Sequence, residues 1–582
     1  LFLVSIDEKE ISMAKDRNGK MEHVHIIRKD PALFLALVII WLSFAIFILY
    51  PLLKLLATTF LVKGNFSLDN LTKILRKTYN QKAFCNSILL AAAVSAAGTL
   101  IGYLFALAIT RTNWPKYFKW LLSSITILPL ISPPFTSSIS LTLTLGPNGI
   151  LLKALHLDDL NFYGFWGTFL SETLTYFPVA FMVLSAILST MDANIDDAAL
   201  SLEGSRGRIF RTITLPLSMP GIANSILLLF GSSLADFATP LILGGHNFPI
   251  LPTQAYLQIT GLYDLKGGSS LSFLLILPAL LVFLFQRYLI GKKSYVTITG
   301  KSGAQSQFSR LPFWLETLTA VICSFIALFI VYLYFIILQG SLVKVWSVDN
   351  TFTLEHFSYV FTNGKKAILD TLKIAIISTL IGSFLAIIIG YIIQRKKFAG
   401  KRALEFISML NYALPGTVVG IAYILAFNEK PILLTGTMTI LVAAYVFRYY
   451  ATGIRSVVAS LQQIDPSIEE ASASLGAGSV RTLFKVTIPL IIPSVLAGMR
   501  YLFIHCMTAI SATIFLVSVR WTLLTTRILE SMTELQFSQA SAFSIVLIVL
   551  VFIADAIMGG MMKLSTKKFG ISQENIYDNS GA

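Results

Sequence analysis

Six ionisable side chains stand inside or beside apolar runs of this 582-residue chain: Glu172, Asp236, Lys373, Arg500, His505 and Asp555. A charge among apolar side chains marks either a structural pair or a path for polar cargo, and the mixed signs do not choose between cationic and anionic cargo. Asp236 is the first pathway candidate, placed mid-run beside Phe237 and before the helix-breaking Pro240. Glu172, near Thr173 and Thr175, is the second, and Asn411, Ser511 and Thr513 are candidates farther along. For each of them an interhelical pair or an interface anchor is the competing reading. Catalysis is not indicated. The chain has no HExxH motif, catalytic carboxylate pair or Ser/His/Asp set in a soluble context. Its nearest approach to a phosphate loop, Gly300-Lys301-Ser302, has Tyr295 where the earlier glycine is required. Cys85, Cys323 and Cys506 share no metal-ligand spacing and read as membrane-buried thiols. The chain is expected to bind no metal or cofactor of its own.

These residues must be positioned by helices in lipid. The chain is 55% hydrophobic and 13% charged, with a mean hydropathy of +0.75, and apolar runs of about 20 residues recur, the length that crosses a hydrocarbon core of about 30 Å. Twelve spans are expected near 33–59, 86–110, 119–143, 163–188, 217–243, 270–290, 313–338, 367–394, 403–427, 432–458, 489–517 and 540–562. The net charge of +15 sits in short loops between runs. That is the pattern of membrane orientation, not of nucleic-acid binding, and the excess of Lys and Arg puts both termini in the cytoplasm, although the basic loop from Lys63 to Lys82 runs against the rule. The record opens on Leu1, and Met21 is a candidate start.

The halves repeat. Asn86, Gly98 and Arg111 match Asp370, Gly382 and Arg395 at a spacing of 284; Leu128-Pro129 matches Leu414-Pro415 at 286; Asp192, Ile195, Asp197, Ala198, Pro216 and Pro220 match Asp465, Ile468, Glu470, Ala471, Pro489 and Pro493 at 273. The drop in spacing places a deletion where the loop of residues 146–161 shrinks to 428–431. Six spans per half give parallel repeats around a shared path. The expected organisation is an N-terminal segment over 1–30, a first half over 31–290, a linker over 291–312, a second half over 313–563 and a tail over 564–582.

Two loops, at 192–216 and 465–489, occupy matched places after spans four and ten. In the second, Asp465 can cap a helix that opens on Pro466, with Glu469 and Glu470 in its first turn, where the helix dipole favours acids. Ile468, Ala471, Ser472 and Leu475 share one face, as do Ile195, Ala198, Ala199 and Leu202. A short amphipathic helix cannot bury its own stripe, so it braces the membrane surface or enters a partner's groove. Two copies with small residues favour a partner with two equivalent grooves.

On these loops the chain resembles the permease subunits of binding-protein-dependent ABC importers, whose loop reads E-A-A, three residues, G, nine residues, I, one residue, L-P. Glu470, Ala471, Ser472, Gly476, Val486, Ile488 and Pro489 fit this register, as do Asp197, Ala198, Ala199, Ile213, Leu215 and Pro216. The resemblance implies an all-α polytopic fold of about twelve spans in two six-helix repeats (MetI-like, type I importer). It further implies two copies of an ABC ATPase subunit docking on these loops, and a binding protein delivering cargo at the outer face of a bacterial inner membrane, with ATP used by the partner subunits alone. One departure stands out: Glu203 occupies the glycine position, with Gly204 next, so the first helix is expected to end one residue later or to dock differently. The double length, with PLISPPF at 129–135, LADFATPLILGG at 234–245, LPGTVVGIAYILAFN at 414–428 and LTGT at 434–437, resembles the ferric-iron transport group. Phosphonate or sugar-phosphate cargo is the nearer alternative. A secondary transporter with six-plus-six repeats is the more distant one, and a membrane scaffold or sensor is a rival from another class.

Overall fold

A computed structural model describes residues 31–146, 149–154, 156, 161–191, 193–286 and 311–569. The expected N-terminal segment, Met21, the Gly300-Lys301-Ser302 stretch and all of the linker except Leu311 and Pro312 lie outside these residues.

Among the described residues nine helices are long and apolar enough to cross a membrane: Pro31–Phe60, Thr78–Thr110, Phe165–Ser189, Arg206–Ala235, Leu265–Phe285, Phe313–Ser341, Lys365–Arg395, Ser479–Thr508 and Phe537–Ser565. Two bent pairs raise the count to 11. Met438–Gln462 completes the expected set of spans: its 25 residues reach about 38 Å at 1.5 Å per residue, and Arg448 and Arg455 lower its apolarity.

Spans three and nine are broken. Lys116–Ile131 turns at Ser132-Pro133 into Thr136–Leu145, and Lys401–Ala413 turns through 105° at Leu414-Pro415 into Gly416–Phe427. The two breaks lie 282 residues apart, so the counterpart of Pro415 is Pro133, not Pro129, which lies inside its helix. The deletion expected in the following loop fits these ends: Leu145 to Phe165 is 20 residues and Phe427 to Met438 is 11.

Each half also opens alike in a way the sequence reading did not register. After its first span comes a short antiparallel hairpin, Leu61–Val62 with Asn65–Phe66 or Val343–Val345 with Asp349–Phe352, and then a short helix, Asp69–Leu75 or Glu355–Thr362. Within the halves the packing repeats: Thr78–Thr110 lies against Phe165–Ser189 and Leu215–Ala235, and Lys365–Arg395 against Met438–Gln462 and Ile488–Thr508. Glycines set these approaches. A Cβ at Gly98 would meet Leu229 Cδ2 at 2.6 Å and one at Gly382 would meet Leu502 Cδ1 at the same distance, two pairs related by the repeat.

The first span of each half crosses to the other half. Phe44 packs edge-on against Phe447 and Tyr450, and the Tyr423 hydroxyl donates to the Phe47 carbonyl at 2.7 Å. In return, Phe313–Ser341 packs against Thr136–Leu145 and the second span, and Trp346 Nε1 donates to the Leu143 carbonyl at 3.2 Å. The largest buried apolar cluster accordingly draws residues from both halves.

Candidate functional site

The loop helices run Ala193–Ser201 and Ser467–Ser474, ending 273 residues apart. Asp192 and the Asp197 side chain lie outside the described residues. The first helix does not end later than the second: Glu203 takes a φ of +59° where Gly476 takes +80°, so the departure is absorbed by the backbone and not by the helix length. Pro466 precedes the second helix instead of opening it. Asp465 does the expected capping, its Oδ1 accepting from the Ser467 amide at 2.9 Å, and these hydrogen bonds hold its carboxyl below the ordinary range.

No residue of Ser467–Ser474 is buried, and Ile468, Glu470, Ala471 and Leu475 are exposed. On the first loop Ile195, Ala198 and Leu202 are exposed, Ala199 and Gly204 half-buried, and Leu202 and Leu475 reach 84% and 89%. Ser472 is used internally, its hydroxyl 2.9 Å from that of Thr482. Each loop then makes a four-residue helix, Arg206–Ile209 or Ser479–Thr482, and a π-helical turn, Phe210–Thr214 or Leu483–Thr487, before its span. The arrangement offers a small apolar surface, in duplicate, rigidly continuous with a membrane helix.

The pathway candidates fall into two groups. Asp236 is not mid-helix: it sits at the break between Leu215–Ala235 and Ala238–Leu243, where its Oδ1 accepts from the Ala238 amide at 3.0 Å and caps the short helix. Glu172, fully buried on the fourth span, accepts from the Ser233 hydroxyl one turn before Asp236. Neither acid forms an ion pair among the described residues. Among the described residues Glu172 Oε1 and the hydroxyls of Thr136 and Thr173 are buried without a hydrogen-bond partner, and the Thr239 and Tyr176 hydroxyls stand beside the Asp236 carboxylate. Further hydroxyls pair between the fourth span and the helix after the break of span three: Ser138 stands 3.1 Å from Ser171, and Thr175 donates to Ser137 at 3.1 Å. Two carboxyls within a shell of hydroxyls make an oxygen-only donor set suited to hard cations. Among the described residues no three His, Cys, Asp or Glu side chains stand together as a metal cage. Phe237 packs its ring 4.9 Å from Tyr256 of the same half and joins this group to the second half at Phe515, 6.5 Å away.

The second-half candidates do not join that cluster in chemistry. Thr513 is buried with its hydroxyl 2.6 Å from Tyr445, Asn411 is buried with Nδ2 unpartnered, and Ser511 lies beside Gly416 at the break of span nine. The other intramembrane charges take structural roles: Arg500 forks onto Asp555, with Nη2 to Oδ2 at 2.6 Å, Lys373 Nζ stands 5.3 Å over the Trp521 ring, and His505 stacks on Tyr501 at 3.9 Å.

The sequence reading missed the inward-facing acids. Asp196 and Glu469, each one residue before the acid singled out by motif, pair with Arg111 and Arg395. The signal was present in the matched arginines, which the repeat registered without assigning them a partner.

Comparison with known proteins places this geometry. Residues 98–295 and 381–569 each match the family described as binding-protein-dependent transport system inner membrane component. The chain is 35% identical over 535 residues to the ferric transport system permease protein FbpB of Actinobacillus pleuropneumoniae, covering 90% of this chain and 77% of that one. It is 35% identical over 507 residues to a putative ferric transport system permease protein, FbpB 1, of Haemophilus influenzae, covering 85% and 79%. A single-length relative, the molybdenum transport system permease protein ModB of Escherichia coli, is 29% identical over 213 residues, 35% of this chain and 92% of that one.

Proposed function

The chain belongs to the binding-protein-dependent transport system inner membrane component family, and from that premise we propose that it is the fused permease of an ATP-driven importer whose cargo is ferric iron. The observation that supports the cargo is the oxygen-only cluster at Glu172 and Asp236, which suits a hard trivalent cation, in a chain 35% identical to two proteins named for ferric transport. Two carboxylates with hydroxyl neighbours, and no third acid among the described residues, favour transit over retention. In this reading Phe237, Asn411, Ser511 and Thr513 border the path, and a binding protein at the outer face supplies the cargo.

Two ATPase subunits seat on the duplicated helices, meeting Asp197, Ala198, Ala199 and Gly204 on one side and Glu470, Ala471, Ser472 and Gly476 on the other. Both termini lie in the cytoplasm, and ATP and its hydrolysis belong to the partner subunits, not to this chain. Closing of the ATPase pair on ATP shifts the halves between inward-open and outward-open states.

The test is reconstitution of the purified complex in liposomes with its binding protein. ATP-dependent uptake of radiolabelled ferric iron is expected, together with its loss in the Glu172→Gln, Asp236→Asn double variant while ATP hydrolysis persists. Uptake of a different solute with no ferric transport would sink the cargo assignment, and failure of any ATPase subunit to co-purify would sink the importer reading.

A further inference from the structure

Each loop helix is held to the second span of its own half by one buried guanidinium. Arg111, at the C-terminus of Thr78–Thr110, donates Nη1 to Asp196 and Nη2 to Met191 Sδ at 3.3 Å, and both charged side chains are 3% exposed. Arg395, the last residue of Lys365–Arg395, donates Nε to Glu469 at 3.1 Å and Nη2 to the Ile464 carbonyl at 2.8 Å. The hydroxyls of Thr487 and Tyr391 donate to the same carboxylate at 3.1 and 3.4 Å. The construction is duplicated by position, though not atom for atom: the arginines are 284 residues apart, and the acids and the residues taking Nη2 are each 273 apart.

The geometry has a mechanical consequence. The second loop helix has no buried side chain. Beside its two chain ends, one leading from span ten and the other into span eleven, only the Ser472–Thr482 hydrogen bond ties it down, to the same segment that enters span eleven. The first loop helix has the same two ends, at spans four and five. Two attachments leave it free to pivot about the line joining them. The ion pair supplies a third attachment, to span two or eight, and these are the spans that pack along both neighbours in each half. A buried ion pair contributes little net stability, yet removing one partner strands the other charge, so the pair serves geometry more than energy.

Resting on the importer reading, we propose that Arg111–Asp196 and Arg395–Glu469 are positioning links that make each loop helix a rigid lever, so that a push on the helix reaches three spans instead of two. The acids that do this face inward, which separates them from the exposed Glu470 that faces the partner.

The experiment uses the full complex with its binding protein in liposomes. It compares Glu469→Gln, Arg395→Gln and the exchanged pair Arg395→Glu with Glu469→Arg, and Asp196→Asn in the first half. The single variants are expected to keep the ATPase subunit bound and to hydrolyse ATP, while the stimulation by loaded binding protein falls about tenfold. The exchanged pair is expected to regain most of it, a rescue that simple loss of packing would not give. Undiminished stimulation in the single variants, or an exchanged pair no better than they are, overturns the link. If a single variant fails to assemble, the exchanged pair still decides, because recovery supports the link and failure overturns it. A wild-type complex that shows no stimulation at all would instead sink the importer reading on which the link rests.

Discussion

At the scale of single residues, the position after each loop helix shows how backbone and motif separate. Glu203 and Gly476 occupy equivalent turns at φ of +59° and +80°, a region where a side chain costs about 1 kcal/mol and glycine costs nothing comparable. Glu203→Gly is therefore expected to stabilise the complex by about 1 kcal/mol, and Gly476→Ala to destabilise it by a similar amount. A Cβ at Gly476 meets nothing within 4 Å, so the cost there is purely conformational. Thermal unfolding of the two purified variants checks this, and shifts of the same sign would refute it. Asp465 adds a pH dependence of definite sign. Its carboxyl is held below its ordinary 3.8 by the Ser467 hydrogen bonds, so the cap is intact above that value and is lost as pH falls through the lowered one. Asp465→Asn, which keeps an acceptor without the charge, is expected to flatten the loss of hydrogen-exchange protection, taken against the intrinsic rate, at Ser467 and Ile468 on acidification from pH about 5 to about 3.

At the scale of elements, hydropathy and the repeat made most helices legible, and their limits are instructive. A sliding apolar window registers that 119–143 and 403–427 avoid water, but it carries no direction, so the turns after Ile131 and Ala413 were invisible to it. The Leu-Pro at 128–129 drew the alignment four residues from the true counterpart, because a proline can be housed within a helix as well as break one. The start of the second loop helix was legible to within one residue, Pro466 against Ser467, since caps and acids are local signals. The polar contacts of the fourth span were not, because Ser137 and Ser138, which meet Thr175 and Ser171, and Ser233, which meets Glu172, come from two other elements that only the fold brings against it. Helix approach leads to a graded prediction. At Gly102 a Cβ would meet backbone, Phe181 N at 2.7 Å, whereas at Gly98 it meets the tip of Leu229, which can rotate. Gly102→Ala is expected to cost about 1–3 kcal/mol and Gly98→Ala less. Yield and melting temperature of the two variants in detergent rank them, and equal losses would contradict the distinction between rigid backbone and a flexible tip.

At the scale of the whole molecule, the exchange of first spans decides what the unit of folding is. If each half were self-contained, a chain cut between them would give two stable products. Here Pro31–Phe60 lays Phe44 and Phe47 against the ninth and tenth spans, while Phe313–Ser341 and Trp346 lie on the first half's third span. Removing either half therefore uncovers apolar surface: without the second half the Phe47 and Leu143 carbonyls lose their donors, and without the first half Tyr423 and Trp346 lose their acceptors. In lipid the lost apolar contacts are replaced by acyl chains at little cost, so the specificity of reassembly rests on shape and on these hydrogen bonds. Two separate polypeptides, residues 1–295 and 296–582, are then expected to reassemble into a transporting complex when produced together, and each alone is expected to be degraded or to aggregate. The swap also makes a sharper demand. A first half carrying the seventh span in place of its own first span is expected to fail to pair with an intact second half, because both pieces would offer the same crossing helix and neither would offer the one that seats on Tyr423 and Phe447. Co-purification of the tagged halves measures this, and efficient pairing by that chimaera would show that the first spans are interchangeable lipid anchors and not the clasp between the halves.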